Sequence, residues 1–429
     1  MSFLRQNMVI RALGLVVLNA CCWLAAAQGP SAFPERFPAE ISFDSQSALR
    51  AFVGRESGGL VIVDSVRGTW ARVFLSEADF QRLAAGGHAI SRVAQTPPGD
   101  AKHFVGYHDY EEVTAELAQY ADDFPDICRL SSLGATPQGR ELWVLLITDN
   151  PDVEEDEPEF KYVSTMHGNE PVGTELCLYF IDLLLSGYGT DTRLTALVDE
   201  TAISIVPLMN PDGHAVDRRS NSLGADLNRS FPVFPTDFIG TYFDGEDPDL
   251  DNRQPEVRHV MNWTLDNSFV LSANFHTGAL LVNYPYDDDA DGDTRDSGED
   301  APTPDDLLFE DISLRYAIAN TPMFNSTVFE NGISNGLAWF IAIGSMQDWN
   351  YRYAGCMEVT IELSDIFRPG GSFLPTFWED NRESMLAYLE AVHIGGQRYG
   401  RGQRTAGVYR SGRGRLPAAF ASWQPHLDN

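Results

Sequence analysis

Short apolar segments alternate with amphipathic stretches through the middle of the chain. The apolar segments have the length of single strands: ELWVLLI, KYVSTM, AISIVPL, FVLSANF and MEVTIEL. Continuous apolar character is typical of strands buried on both faces of a sheet. Between them, Asp109 and Glu112 form a capping pair ahead of one helix, and Pro171 begins another. A last amphipathic helix extends from about Trp378 to Val392. The alternation predicts the α/β class, with a single large domain whose mixed, mostly parallel twisted sheet is covered by helices on both faces.

A smaller α/β pattern precedes this domain. Over residues 60–93 the order strand, strand, helix, strand is predicted, with Ser76 as the helix N-cap and Asp79 three residues after it. Pro-Pro-Gly at 97–99 then predicts a linker. We assign residues 28–100 to this module and its linker. We interpret the module as a pro-segment that inhibits the next domain or helps it to fold, or as a structural appendage.

The first residues have the pattern of a secretory signal peptide. Two arginines precede an apolar stretch over residues 12–24, and alanines at 25–27 offer a cleavage site. The stretch is short for a membrane span, and no later segment is long and apolar enough to be one. We therefore expect residues 1–27 to be removed on export to the periplasm or the extracellular space. A lipoprotein cleavage box before Cys21 is a weaker alternative, because Asn19 is polar.

The net charge disfavours some binding partners, and the cysteine count argues against a disulfide framework. The formal net charge is −32, from 30 basic and 62 acidic residues. Such a charge repels nucleic acid and anionic membranes and attracts cationic ligands. Beyond position 27 the cysteines are Cys128, Cys177 and Cys356, each in an apolar stretch. An odd number cannot form a disulfide framework, so buried free thiols are predicted.

Candidate metal ligands follow two of the apolar strands. His167 and Glu170 come after KYVSTM and before the helix that Pro171 begins, and His276 comes after FVLSANF. Side chains that follow such strands meet at the carboxyl edge of the sheet. Two imidazoles and a carboxylate suit a catalytic zinc ion, which keeps a fourth position open for water. The sequence therefore predicts one Zn²⁺, although the same ligands suit other divalent ions.

Six motifs occur in a fixed order along the chain: MHGNEPVG, NPDG, DLNRSFP, SANFHTGALLVNYPYD, GSMQDWNY and TIELS. In this order and content the chain resembles the metallocarboxypeptidases of the carboxypeptidase A/B clan, most closely the regulatory branch that includes carboxypeptidases N, E and D. The resemblance covers roughly residues 107–392. It implies a catalytic domain over residues 101–394 that hydrolyses the C-terminal residue from peptides or proteins.

The resemblance assigns the central chemistry to four residues. It implies that His167, Glu170 and His276 hold zinc and that Glu362 is the general base for the zinc-bound water. A carboxylate at that point can also pass a proton to the leaving amine, which agrees with the implied role.

Arginines in and before the DLNRSFP motif have implied roles in substrate binding. Arg219 lies seven residues before Asp226, which is the spacing of the family arginine that stabilises the tetrahedral oxyanion, and its neighbour Arg218 is the alternative. Asn228 and Arg229 match the pair that binds the terminal carboxylate of the substrate. Arginine binds a carboxylate through two parallel hydrogen bonds, which suits an exopeptidase.

The resemblance also implies a preference for a C-terminal Lys or Arg. Asp287 aligns with the acidic residue that recognises a basic side chain, and Gln347 occupies the position at the floor of the pocket. Peptide or protein C-termini that carry a basic residue are therefore the expected partners. Asp287 begins an acidic run over residues 287–300, whose spacing does not fit the twelve-residue calcium loop.

The chain departs from the family pattern at three places. Phe340 stands where a substrate-binding tyrosine is usual, which removes a hydrogen bond worth about 1 kcal/mol. Thr277 replaces a glycine directly after His276 and is expected to crowd the metal. Residues 395–429 are rich in Arg and Gly, which predicts a disordered tail in place of a transthyretin-like domain. Loss of that domain or a frameshift near His393 would explain the tail.

Two alternatives remain beside the exopeptidase. One is a zinc amidase or endopeptidase that acts on cell-wall peptides, because related zinc sites support several amide substrates. The other is a catalytically weakened peptide-binding relative, suggested by Phe340 and Thr277. The presence of Asn228, Arg229 and Asp287 favours the exopeptidase over the first alternative, and the presence of all three ligands and Glu362 argues against the second.

Overall fold

The computed structural model describes six stretches of the chain: residues 36–56, 61–93, 106–233, 253–288, 299–366 and 368–394. The predicted signal peptide, the linker at 97–99 and the Arg/Gly-rich tail lie outside the described residues, as do residues 289–298 of the acidic run. Within the described stretches, no helix combines the length and apolar character that crossing a membrane requires.

The N-terminal module is a four-stranded antiparallel sheet with two helices. Its elements are β1 (Phe37–Ser42), α1 (Gln46–Glu56), β2 (Ile62–Arg67), β3 (Trp70–Leu75), α2 (Glu77–Ala85) and β4 (Ala89–Arg92). The strand order is β2-β3-β1-β4, so β2 lies at an edge. Ser76 caps α2 by accepting a hydrogen bond from the Asp79 N–H at 3.2 Å, as the sequence predicts. The sequence pattern does not predict β1, because Pro38 and Glu40 interrupt its apolar character.

The larger domain is built on an eight-stranded sheet. Its strands are β5 (Cys128–Ala135), β6 (Glu141–Ile147), β7 (Glu159–Ser164), β8 (Ala202–Val206), β9 (Phe269–His276), β10 (Leu280–Tyr284), β11 (Ile333–Asn335) and β12 (Met357–Leu363). The strand order is β11-β10-β12-β9-β7-β8-β6-β5. Strands β8, β7, β9 and β12 are parallel and form the centre, whereas the β5/β6, β6/β8 and β10/β12 pairs are antiparallel. The sheet is mixed, which confirms the predicted fold class.

Helices cover both faces of this sheet. They are α3 (Tyr110–Asp123), α4 (Val172–Gly187), α5 (Thr192–Asp199), α6 (Pro211–Ala215), α7 (Pro255–Asp266), α8 (Asp306–Ala319), α9 (Thr321–Phe324), α10 (Gly336–Trp339), α11 (Met346–Trp349) and α12 (Leu374–Leu389). Short 3-10 segments lie at Leu227–Arg229, Glu330–Gly332, Gly371–Phe373 and Glu390–His393, and a π-helix at Asn350–Ala354. Asp109 and Glu112 form the predicted capping box of α3.

Adjacent residues of β7 show how the two faces are buried. Tyr162 packs into the apolar cluster that contains residues of α4, α8 and α12, and Val163 packs into the cluster that contains residues of α7 and α11. Successive side chains of a strand point to opposite faces, so an unbroken apolar strand fills two layers at once. The described cysteines are free and buried at positions 128, 177 and 356, which confirms the prediction of buried thiols.

The parallel centre sets the position of the candidate site. His276 ends β9, and Glu362 in β12 is its register partner. The neighbouring strand β7 ends at Ser164, three residues before His167. Three parallel strands therefore deliver His167, His276 and Glu362 to one edge of the sheet.

Candidate active site

Three potential metal ligands meet at this edge. His167 and Glu170 lie in the turn between β7 and α4, and His276 lies across from them. His167 Nδ1 is 2.9 Å from Glu170 Oε1, and His276 Nδ1 is 2.8 Å from Glu170 Oε2. All three side chains are buried, and their ligand atoms lie within 4.8 Å of one another. The structure thus brings together the three residues that the sequence nominates as ligands.

The charge state of this cluster suits a divalent cation. Burial lowers the pKa of His276 to about 4, which leaves its imidazole neutral at pH 7. Burial alone would raise the pKa of Glu170, but the neighbouring imidazoles of His167 and His276 hold it well below its usual range. Imidazole nitrogen and ionised carboxylate oxygen are donors that zinc accepts. The donor set therefore fits a zinc ion.

Glu362 faces the same cavity. Its side chain is 7% exposed, and its Oε2 atom has no hydrogen-bond partner among the described residues. Burial, together with the negative charges of Glu170 and Asp64, raises the pKa of Glu362 well above its usual value. A buried carboxyl oxygen without a partner is costly unless a ligand uses it. Its position beside the three ligands agrees with the predicted role of a base.

Arg219 and Asp226 form a second layer behind the ligands. The Asp226 carboxylate accepts from Arg219 Nε at 3.0 Å and lies 3.0 Å from His167 Nε2. Arg219 Nη1 also lies 3.1 Å from Glu170 Oε1. The side chain of Arg218 is exposed, whereas that of Arg219 is buried and lines the cavity, so the geometry favours Arg219 over its neighbour.

Asp226 is a residue whose contribution the sequence analysis misses. A carboxylate can only accept hydrogen bonds, so Asp226 holds a proton of His167 on Nε2 and orients the ring with Nδ1 facing Glu170. The available signal was its place at the start of DLNRSFP, directly before the predicted substrate-binding pair. Asp226 lies far from His167 in the sequence, so the DLNRSFP motif alone does not reveal that the two residues pair.

Asn228 and Arg229 lie on the other side of the cavity. Asn228 is fixed by accepting the Met346 N–H at 2.9 Å, and its Nδ2 atom is 3.4 Å from His276 Nε2. Arg229 Nη1 donates to the Asn228 carbonyl at 2.8 Å, and Nη2 donates to the Val63 carbonyl at 3.0 Å. Both residues lie in the wall of the cavity.

Asp287 lines the cavity and is held by a polar network. Its Oδ1 atom accepts from Asn283 Nδ2 at 3.1 Å, and its backbone N–H donates to both oxygens of Asp348 at 3.0 Å. Burial raises the pKa of Asp287 to about 6. Gln347 donates to Asn283 Oδ1 at 3.0 Å but does not itself line the cavity. Asn283 therefore lines the cavity, and Gln347 contacts it through Asn283.

Two of the three departures from the family pattern, Phe340 and Thr277, lie at the cavity. Phe340 is 6% exposed and packs edge to face on Trp339, with ring centroids 4.5 Å apart. The Phe340 ring offers no hydroxyl group to a ligand. Thr277 lines the cavity, and its backbone N–H donates to Glu170 Oε2 at 3.2 Å. Thr277 therefore helps to orient a ligand of the cluster.

One wall of the cavity comes from the N-terminal module. Asp64 of β2 is 8% exposed and forms an ion pair with Arg219. The two residues are 155 positions apart, and no local sequence pattern indicates that they meet. Asp64 is the second site residue that the sequence analysis misses.

Comparisons with known proteins identify the family of this chain. Residues 113–384 match the family model described as "Zinc carboxypeptidase". Carboxypeptidase D of Rattus norvegicus is 42% identical over 308 residues, which is 67% of this chain and 21% of that protein. Carboxypeptidase M of Mus musculus is 40% identical over 305 residues, covering 67% of this chain and 66% of that protein. The human carboxypeptidase N catalytic chain is 37% identical over 317 residues, covering 67% and 69%. The chain thus spans about a fifth of the length of the carboxypeptidase D proteins that it matches.

Solved structures give the same fold. Carboxypeptidase A from Helicoverpa armigera superposes with a TM-score of 0.65 at 18% identity and covers 85% of this chain and 99% of that chain. Thrombin activatable fibrinolysis inhibitor superposes with a TM-score of 0.60 at 15% identity, covering 84% and 100%. At such identities the likeness concerns the fold alone. Together with the sequence matches over most of the larger domain, it shows that the chain belongs to the zinc carboxypeptidase family.

Proposed function

We propose that this protein is exported and removes the C-terminal residue of peptides or proteins, with a preference for Lys and Arg. The observation that carries the proposal is the convergence of three groups of side chains on one buried cavity. These are the candidate ligands His167, Glu170 and His276, the carboxyl of Glu362 with its unpartnered Oε2 atom, and the guanidinium groups of two arginines. Export rests on the signal-peptide pattern of residues 1–27.

Each group has a task in hydrolysis of a peptide bond. A zinc ion held by the three ligands would polarise the scissile carbonyl and lower the pKa of a bound water. Glu362 is placed to accept a proton from that water and to deliver it to the leaving amine. Arg219 carries a permanent charge and is fixed by Asp226, so it can stabilise the negative charge that develops on the carbonyl oxygen.

Arg229 and Asn228 distinguish an exopeptidase from an amidase or an endopeptidase. A guanidinium group in the wall of the cavity offers two parallel N–H donors to a terminal α-carboxylate. An internal peptide bond has no such carboxylate and would leave the part-buried charge of Arg229 without that partner. This cost favours substrates that end in the cavity over longer chains and cell-wall cross-links.

Asp287 supports the preference for a basic terminal residue. Its carboxylate and the side chain of Asn283 line the cavity, and the surface of the protein is strongly acidic overall. A buried carboxylate forms a charge-assisted hydrogen bond with a Lys or Arg side chain, and such a bond contributes about 1.5–3 kcal/mol. An acidic terminal residue would instead meet a like charge.

The specificity is tested with peptides that differ only in the last residue: Arg, Lys, Phe or Glu. Zinc-supplied protein, as the full chain and as residues 106–394, should release Arg and Lys fastest. Asp287→Asn should lower kcat/KM for the Arg peptide by about 10- to 150-fold, the range expected from a charged hydrogen bond of that size. Asp266→Asn, at an exposed position, is the matched control. If no terminal residue is released, the proposed exopeptidase activity is wrong. If the Asp287→Asn variant keeps the same preference, Asp287 does not recognise the terminal side chain.

The basic preference should also depend on pH. Because the pKa of Asp287 is raised to about 6, its carboxyl becomes neutral as pH falls below that value and loses its attraction for a cationic side chain. The ratio of kcat/KM for Arg-ending over Phe-ending peptides should therefore fall between pH 7 and pH 5. Using the ratio cancels effects of pH on the shared chemistry. The Asp287→Asn variant should show a flat ratio over the same range, and a flat ratio in the unmodified chain would contradict the assignment.

A further inference from the structure

The acidic residue of the cavity lies on a short segment, residues 286–288, shortly after β10. Asp348 of helix α11 holds this segment by its backbone. Both oxygens of Asp348 accept the Asp287 N–H at 3.0 Å, and one of them also accepts the Asp288 N–H at 3.2 Å. A carboxylate that binds two successive N–H groups fixes the backbone between them. It thereby fixes the direction in which the Asp287 side chain leaves the backbone.

Asp348 acts from behind the cavity. Its side chain is buried, and it is not among the described residues that line the cavity. The carboxyl groups of Asp287 and Asp288 lie close to it, which is costly unless hydrogen bonds and an opposite charge compensate. Arg352 supplies such a charge, 3.2 Å from the Asp288 carboxylate and 3.9 Å from the centre of the Tyr286 ring. Any influence of Asp348 on a ligand therefore passes through the segment that carries Asp287.

A loop over residues 335–342 is bonded to the same segment. The backbone N–H groups of Leu337 and Ala342 donate to carbonyl oxygens of the segment, both at 2.9 Å. The loop also contributes Trp339 and Phe340 to the wall of the cavity. The segment is thus held through its N–H groups by α11 and through its carbonyl groups by the loop. Its backbone has little freedom to move while these contacts persist.

Gly336, the first residue of α10, leaves the space that the Asp287 carboxylate occupies. A methyl group at position 336 would overlap the Oδ1 atom of Asp287 and would lie 2.9 Å from the Tyr286 carbonyl oxygen. Such overpacking forces the neighbouring atoms to move. The same Oδ1 atom accepts from Asn283 Nδ2 at 3.1 Å, so a displaced carboxylate would also lose this contact.

We propose that Asp348 and Gly336 are positioning residues that set the preference for a basic terminal side chain. Asp348 holds the backbone of Asp287, and Gly336 leaves room for its carboxylate. The inference rests on the proposed function, which assigns recognition of the basic side chain to Asp287. A hydrogen bond weakens steeply as its angle departs from linear, so a misdirected Asp287 carboxylate binds a terminal Lys or Arg less well. The metal ligands keep their own contacts.

The two positions are tested separately in the full, zinc-supplied chain. Asp348→Ala removes the acceptor of two N–H groups, whereas Gly336→Ala displaces the carboxylate and leaves every charge in place. The measured quantity is the ratio of kcat/KM for Arg-ending over Phe-ending peptides, which cancels losses in the shared chemistry or in the fraction of folded protein. The ratio should fall by at least about fivefold in both variants, and by no more than the roughly 10- to 150-fold expected for complete loss of the bond. Asp348→Asn, with one acceptor oxygen in place of two, replaces the alanine variant if that variant does not fold.

Matched controls make the same changes away from the cavity. Asp212→Ala removes a buried carboxylate that accepts from Thr136 and Arg140. Gly187→Ala places a methyl group against Leu194 at the end of α4. Both controls should lower the melting temperature and leave the ratio unchanged. A merely structural role of Asp348 and Gly336 would give the same result as these controls.

A second measurement needs no turnover. Calorimetry gives the affinities of the same proteins for free L-arginine and L-phenylalanine. The unmodified chain should bind arginine more tightly, and the Asp348 and Gly336 variants should lose most of that difference. Loss of the difference in the Gly336 variant alone would overturn the role of Asp348, and loss in the Asp348 variant alone would overturn that of Gly336.

The two measurements together separate this inference from the proposed function. If no peptide is cleaved but arginine affinity changes as expected, the positioning roles are supported and the proposed function is wrong. If folded variants at both positions keep the full arginine preference, the positioning roles are overturned even in an active carboxypeptidase. An unmodified chain with no arginine preference in either measurement would contradict both.

Discussion

Replacement of Glu362 by glutamine should abolish most turnover while leaving metal binding intact. Proton transfer by a positioned side chain contributes typically about 10²–10⁴-fold to a rate, so kcat for an Arg-ending peptide should fall within that range. The substitution keeps the size of the side chain and removes its ability to accept a proton. His167, Glu170 and His276 do not use Glu362 for their mutual contacts, so zinc content should stay at one ion per chain.

Glu358 provides the matched control for this experiment. It lies on the same strand β12, is also fully buried, and also has a raised pKa because of burial. Its carboxylate accepts from Ser272, Asn274 and Asn350 rather than lining the cavity. Glu358→Gln should therefore keep kcat within a few-fold of the unmodified chain. Zinc is measured by elemental analysis in both variants, and a Glu362→Gln enzyme that retains full rate would show that another group is the base.

The candidate site could be predicted where it depends on local pattern. His167 and His276 each follow an apolar strand, and parallel strands bring their carboxyl ends to one edge of the sheet whatever the loops do. The same rule predicts that Glu362 lies at this edge only if β12 is known to lie beside β9, and that requires the strand order. Apolar segments do not reveal strand order. Here Glu362 was assigned through the family resemblance that the ordered motifs carry.

Contacts between distant segments could not be predicted in this way. Asp64 reaches Arg219 at a point where the pairing of β2 with β3 shifts register, and such a shift has no periodic signal in the sequence. The same holds for Gln347. Its motif gives its position in the sequence, but only the structure shows that Gln347 bonds to Asn283 and does not itself line the cavity. Sequence patterns therefore fail mainly for side chains that influence the cavity by contacting another residue.

Asp226 is the strongest case of such indirect action, and Asp226→Asn should have the second large effect. The carboxylate provides acceptors to two donors at once, His167 Nε2 and Arg219 Nε. An amide has a single acceptor oxygen, so its NH₂ group must face one of these donors. Loss of a carboxylate partner behind a metal-binding histidine typically lowers metal affinity by about 10- to 100-fold. Arg219 would lose its fixed orientation in the same step.

Two measurements separate the loss of metal affinity from the loss of Arg219 orientation. Competition with a chelator should show zinc affinity lowered by about 10- to 100-fold, as the loss of that partner implies. At saturating zinc, kcat should still be reduced, because restoring the metal does not restore the orientation of Arg219. Asp217→Asn is the control, since Asp217 pairs with Arg368 and has a positive φ of 55°, a conformation that asparagine tolerates. If zinc alone restored full rate to Asp226→Asn, Asp226 would serve only the metal ligand, and Arg219 would be held well enough by Glu170.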